Sequence, residues 1–144
     1  MSNGLFDGLQ LVATLEDCIY QNAIIMEATT ATKMQATLDH HLAAFVAADL
    51  EEIVKDYSDS SELLTPNGAM KGKSAIQAFF AEVFTIFPKG ATFEVKQTLI
   101  RDGVAYIAWS GQSDFVTIPL GTDTFIMEGD KILYQTLAAH ILPK

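Results

Sequence analysis

Residues 35–68 read QATLDHHLAAFVAADLEEIVKDYSDSSELLTPNG. Leu38, Leu42 and Phe45 recur at helical spacing, and His41 falls on the same stripe. This puts a titratable ring on the buried face of the first core helix, expected over Thr32–Ala47. Asp49 is placed to cap a short second helix, DLEEIVKDY, whose acids lie in the first turn where the helix dipole favours them. Ser58-Asp59-Ser60 is expected to break that helix. Glu62-Leu63-Leu64-Thr65 then reads as a strand, stopped by Pro66-Asn67-Gly68.

Downstream, a third helix is expected from Lys73 to about Phe84. Ile76, Phe79, Phe80, Val83 and Phe84 give it a wide apolar face. Gly72-Lys73-Ser74 has the look of the end of a phosphate loop, but Asn67 stands where the first glycine belongs, and a helix start is the better reading. From Ala91 the pattern changes to period two. Strands are expected over Thr92–Ile100, Val104–Gln112, Phe115–Met127 and Lys131–Ile141. Arg101-Asp102-Gly103 and Glu128-Gly129-Asp130 are hairpin turns, and Pro119 with Gly121 marks a bulge that bends the third of these strands.

Upstream, residues 1–30 form an extension to the domain of residues 31–144. Leu5, Leu9, Val12, Leu15 and Ile19 share one face, and Asp7, Gln10, Thr14, Asp17 and Gln21 the other. An amphipathic helix docked on the body is expected; covering a pocket mouth or embracing a second subunit are the alternatives. Thr29, Thr30 and Thr32 supply N-cap candidates for the core helix.

The order of elements, helices first and then consecutive antiparallel strands, defines an α+β fold. A chain of 144 residues with nine Phe can fill one core. Its net charge of −9 argues against nucleic acid and against an anionic membrane surface. A single cysteine, Cys18, allows no internal disulfide and fits a reducing compartment. No Cys/His grouping has metal-ligand spacing, and no cofactor motif is present. The first basic residue is Lys33, so no secretory signal is expected, and no apolar run has transmembrane length. A cytoplasmic location is the simplest expectation.

Five stretches in this order carry a further signal: Ala48-Asp49-Leu50-Glu51-Glu52-Ile53-Val54, Tyr57-Ser58-Asp59, Thr65-Pro66-Asn67-Gly68, Gly72 to Phe80, and Asp123-Thr124-Phe125 followed by Gly129-Asp130-Lys131-Ile132. Over residues 33–142 the chain resembles the NTF2-like superfamily, nearest its SnoaL-like and ketosteroid-isomerase-like branches. The resemblance implies a cone: N-terminal helices packed on a strongly curved, mainly antiparallel sheet. It also implies a homodimer made through the sheet's outer face, where Tyr106, Ala108, Tyr134, Thr136 and Ala138 stand.

Carried over by position, the resemblance is partial. The isomerase's oxyanion-donating tyrosine on the first helix is replaced by His41. Its general base, an aspartate before the strand-ending proline, is replaced by Thr65, which cannot act as a carboxylate. The protonated aspartate of the late strand is matched by Asp123. Where SnoaL-like cyclases often carry a histidine on the last strand, Gln135 stands here.

The residues themselves support two chemistries and one inert reading. Asp123 shares a strand face with Phe125 and Met127, so burial is expected to raise its pKa. Paired with His41 it would form a general acid/base. Phe45, Tyr57, Thr65, Phe80, Trp109, Phe125 and Gln135 would line the cavity around a small hydrophobic molecule. The site would then serve isomerisation, dehydration or cyclisation. The alternatives are a non-catalytic ligand-binding or dimerisation module, and a cone filled by its own Phe and Met side chains.

Overall fold

The structure, a computed structural model, describes residues 5–144, with side chains from residue 15 onward. Helix α1 runs unbroken over Leu5–Val46, 42 residues, or about 60 Å at 1.5 Å per residue. This corrects the expected boundary near residue 30. The threonines placed as N-caps sit inside the helix. The hydroxyls of Thr29, Thr30 and Thr32 donate to the carbonyls of Ile25, Met26 and Ala28 at 2.8, 3.0 and 2.8 Å. A hydroxyl that bonds four residues back does not compete with the helix, so the run is carried through.

The docked extension is also corrected. Every residue from Leu15 to Lys33 is exposed, Ile19 at 69% and Met26 at 71%. Within this half, Met26, Glu27, Thr30 and Ala31 border an open groove with Ile100, Arg101, Asp102 and Gly103. The side chains of Leu5, Leu9 and Val12 lie outside the described residues. Burial starts at Met34 and continues through Thr37, Leu38, His41 and Ala44.

α1 closes on Ala48, whose φ of 49° is left-handed, with Asp49 N bonded to the Ala44 carbonyl at 2.9 Å. Asp49 then caps α2, Leu50–Ile53, accepting from Glu52 N at 3.0 Å as its position predicts. A 3₁₀ turn, Val54–Asp56, leads directly into β1, Tyr57–Thr65. Ser58-Asp59-Ser60 thus lies within a strand, where a register shift between Tyr57 and Glu62 accommodates it. Ser61 makes the bulge workable by donating from its hydroxyl to the Ile132 carbonyl at 2.5 Å. Pro66-Asn67 turns β1 into a strand the sequence reading left out, β2, Gly68–Lys71.

α3 spans Lys73–Ile86, and β3 to β6 span Thr92–Arg101, Val104–Gln112, Val116–Glu128 and Lys131–Pro143. The six strands are ordered β2-β1-β6-β5-β4-β3 in one curved, unclosed sheet. All pairs are antiparallel except β1–β6. Register shifts opposite and beside Pro119, between Trp109 and Gly111 and between Thr117 and Leu120, bend β4 and β5 where a bulge was expected. The helices cover the concave face. Leu38, Ile53, Leu63, Ile76, Phe80, Ile107, Phe125 and Ile132 are at most 1% exposed there, each burial favouring the fold by about 1.5–3 kcal/mol. No described helix is long and apolar enough to cross a membrane.

Candidate active site

Four strands and one helix place the polar groups of the core. β4 and β5 bring Trp109 opposite Gly121. The indole lies against that glycine so closely that a Cβ there would stand 2.3 Å from the ring. Seated there, Trp109 Nε1 donates to Asp123 Oδ1 at 2.8 Å. From β6, Gln135 Nε2 donates to the other oxygen, Oδ2, at 2.6 Å. The phenol of Tyr57 on β1 donates to Gln135 Oε1. Tyr57, Asp123 and Gln135 are all at most 5% exposed.

His41 faces this row from α1. Its ring meets the edges of Tyr57, Phe80 and Phe125 at centroid distances of 5.9, 5.9 and 5.3 Å. Nδ1 is buried and makes no hydrogen bond. The nearest carboxylate oxygen, Asp56 Oδ2, is 3.8 Å from it.

Burial acts in opposite directions on the two groups. It pushes the Asp123 carboxyl up to about 6, against the two donated hydrogen bonds that favour the anion. It drives His41 down to about 3, helped by the neighbouring His40 charge, so the ring is neutral at pH 7. Tyr57 is raised well above its ordinary value by burial and by the nearby Asp123 and Asp56 charges, so it stays a donor.

His41, Asp123 and Gln135 share a chamber of about 20 Å³ with Leu42, Phe93 and Ile107. That is room for about one water. Phe45, Phe80, Trp109 and Leu137 wall this chamber and also wall a larger pocket of about 320 Å³ at the open end of the cone. Val83, Ile118 and Ile141 make that outer pocket largely apolar, with Thr65, Pro66 and Asn67 at its edge. Four side chains therefore form a collar between an apolar vestibule and a polar floor.

The sequence-predicted residues fall into three groups. His41, Asp123 and Gln135 meet on the floor, and Phe45, Phe80 and Trp109 form the collar. Thr65 lies on the rim, its hydroxyl engaged in the β1–β2 turn by bonds with Gly68 O and Asn67 N at 3.1 and 3.2 Å. Tyr57 and Phe125 line neither space; they stand behind His41 and the amide of Gln135, at 1% and 0% exposure. The reading from sequence missed Leu137, whose inward position follows from alternation with Gln135. It also missed Asp56, which carries no sequence signal for burial. Among the described residues, no group of three or more metal-ligating side chains comes together.

Neither a protein-family model nor a curated protein matches the sequence. Solved structures do. An NTF2-like protein of unknown function from Burkholderia xenovorans superposes with a TM-score of 0.64 at 17% identity, over 75% of this chain and 83% of that one. A SnoaL-like protein of unknown function from Burkholderia thailandensis gives 0.61 at 20% identity, over 75% and 93%. A Sinorhizobium meliloti protein assigned as a candidate polyketide cyclase gives 0.63 at 12% identity, over 74% and 98%. The fold of this chain is therefore the NTF2-like, cystatin-like α+β cone.

Proposed function

We propose that the cone houses a cofactor-independent acid/base site acting on a small hydrophobic molecule, in an isomerase-, dehydratase- or cyclase-type reaction. One observation carries the reading: two buried titratable groups, shifted in opposite directions, border a one-water chamber directly beneath an apolar pocket. Asp123, half-ionised near pH 6, exchanges a proton with the substrate directly or through the chamber water. Neutral His41 supplies a second donor or acceptor. Phe45, Phe80, Trp109 and Leu137 hold the apolar body and exclude water. Gln135, Tyr57 and Phe125 fix the floor, and Thr65 contacts the substrate's outer end. No metal or cofactor takes part. A pocket of about 320 Å³ suits one or two rings better than four.

The test is a panel of mono- and bicyclic enones, β-keto esters and β-hydroxy ketones, assayed with the wild type, Asp123→Asn and His41→Leu. Turnover by the wild type that both variants lose supports the assignment. Turnover that survives Asp123→Asn overturns it.

A second reading, a non-catalytic ligand-binding or dimerisation module, is favoured by one observation. Both Asp123 oxygens already accept bonds from within the protein. Saturable binding with no turnover of any panel member supports this reading. For the assembly we propose a homodimer through the open sheet face, where Leu64, Leu99, Ile126 and Tyr134 are 37–44% exposed. We place the protein in the cytoplasm, with Cys18 as a free thiol.

A further inference from the structure

His41 is buried at 3% exposure, yet a chain of titratable groups leads from it to solvent. Asp56, itself 6% exposed, lies between two histidines that are adjacent in sequence. His40 Nδ1 is 2.8 and 2.9 Å from the two Asp56 oxygens. His41 Nδ1 is 3.8 Å from Oδ2 on the same carboxylate. The far nitrogen of His40, Nε2, pairs at 3.0 Å with Glu52 at the surface, where both side chains are about 40% exposed. The sequence places this arrangement simply. Neighbours on a helix point about 100° apart. His40 therefore lies on the solvent flank and His41 on the core stripe, and a carboxylate from the 3₁₀ turn reaches both.

We propose that Glu52, His40 and Asp56 form a proton relay between solvent and His41, recharging the floor of the cone. Asp56 and His40 are positioning and relay residues, not catalytic ones, because neither lines the chamber or the vestibule. The inference rests on the acid/base reading above for its purpose, but not for its test.

The transfer balances. The Asp56 carboxylate beside Nδ1 favours the His41 tautomer with the proton on Nδ1, leaving Nε2 as the acceptor for the cavity. When Nε2 takes a proton from the cavity, the ring becomes an imidazolium. It then gives its Nδ1 proton to Asp56 across a gap that must close by about 1 Å to reach hydrogen-bond distance. Asp56 passes a proton to Nδ1 of neutral His40, and His40 releases its Nε2 proton to Glu52 or water. Once any proton on Glu52 passes to water, one proton has crossed and every charge is restored, with the protons of both imidazoles now on the opposite nitrogens. The reverse sequence returns one.

The surroundings hold each member in range. Hydrogen bonds to Asp56 and Glu52 raise the His40 pKa, favouring its protonated ring as the relay's outer proton store. Burial raises Asp56, while His40 and Lys131 pull it down. Lys131 reaches this corner from β6, donating to the Lys55 carbonyl at 2.7 Å. Lys55 neutralises Glu52 from the other side. Facing His41 itself, the remaining titratable groups are Tyr57 on β1 and Asp123 on β5.

The experiment reads proton exchange at the His41 ring by nitrogen-15 NMR of the uniformly labelled full chain, with no substrate present. The wild type is expected to show His41 with its proton on Nδ1, in measurable exchange with water. Asp56→Asn still presents an oxygen toward Nδ1 but cannot carry a proton, so it keeps the tautomer and slows exchange by about tenfold or more. His40→Gln can still donate to Asp56 from its half-exposed helix position but has no ring to pass a proton through, and it slows exchange similarly. If Asp56→Asn does not fold, His40→Gln alone decides. A wild-type proton on Nε2, or unchanged exchange in either folded variant, overturns the relay. Because these readouts need no turnover, they separate failure of the relay from failure of the enzymatic reading.

Discussion

Trp109 Nε1 reaches Asp123 Oδ1 at 2.8 Å because Gly121, opposite Trp109 on the neighbouring strand, has no side chain. A backbone vacancy on β5 thus sets the hydrogen bonding of a carboxylate two residues further along the same strand.

Gly121→Ala tests that dependence. Its Cβ would stand 2.3 Å from the indole, with rigid ring atoms on one side and backbone on the other. The ring must move, which breaks the bond to Asp123 and leaves a buried carboxylate short of a donor. A loss of about 2–4 kcal/mol is expected from overpacking and the lost hydrogen bond together. Urea unfolding followed by the emission of the single tryptophan measures both the stability and the changed indole environment.

Asp123→Asn is expected to fold. Gln135 can turn its amide so that Oε1 accepts from the new Nδ2 while Nε2 faces the Tyr57 oxygen. In the wild type, the folded chain holds a proton on Asp123 between about pH 3.8 and 6 that the unfolded chain does not. Stability from this group is present below that window and is lost as pH rises through it, by on the order of 3 kcal/mol. The asparagine variant lacks this loss. Its stability relative to wild type should therefore rise from pH 4 to pH 7, as read from paired urea titrations across that range.

His41→Leu should show the opposite difference. His41 is held neutral down to about pH 3, whereas the unfolded ring takes a proton near 6.5. Its contribution is present above pH 6.5 and is lost as pH falls toward 3. The leucine variant should match or exceed wild-type stability at pH 7, since it removes a buried nitrogen without a partner. Its advantage should grow on acidification, by several kcal/mol as an order of magnitude at pH 4. A wild type that stays the more stable of the two at pH 4 would contradict the burial of a neutral ring.

Tyr134→Glu probes the open face of the sheet. Tyr134 stands on that face at 37% exposure, cross-paired with Ile126. A charge at that point should convert a dimer to a monomer that still folds, with a melting temperature no longer dependent on protein concentration. Light scattering over a hundredfold range of concentration gives the mass directly. A wild-type monomer at every concentration removes the assembly from the proposal.

Deleting residues 1–30 should leave the body folded. The described side chains before Met34 are exposed, so their loss removes no core contact. The melting temperature should change by only about 2–4 °C, as expected for a change near 1 kcal/mol.

Much of the fold was legible because its signals are local. Period-two alternation from Ala91 and the turn residues Asp102-Gly103 and Gly129-Asp130 require no tertiary knowledge. Positive φ at Asp102, Gly103 and Gly129 is what those turns demand. Two features were not legible for the same reason in reverse. Thr29, Thr30 and Thr32 look like caps until their hydroxyls find carbonyls inside the helix, a choice composition does not decide. Ser58-Asp59-Ser60 looks like a break until Ser61 anchors it to β6, a partner 71 positions away.

The candidate site divides in the same way. His41 and Asp123 could be picked out because titratable residues stood on apolar faces. That Asp123 spends both oxygens on Trp109 and Gln135 depends on strand register, which no local pattern contains. Asp56 was invisible because nothing in Val54-Lys55-Asp56-Tyr57 marks the acid as buried.

Tyr57, Gln135, Asp123 and Trp109 come one each from β1, β6, β5 and β4, which are consecutive neighbours across the sheet. Side chains alternate between faces, so a one-residue slip of any of these strands would turn its member outward. A slip of β6 would put Tyr134 or Thr136 where Gln135 stands, leaving Asp123 Oδ2 without its donor. The four residues thus act as a key that fits one alignment only. A misregistered sheet is thus penalised twice, by apolar side chains turned to solvent and by an unsatisfied buried carboxylate. The distant β1–β6 pairing, which must be found across some 70 residues of chain, is where such proofreading matters most.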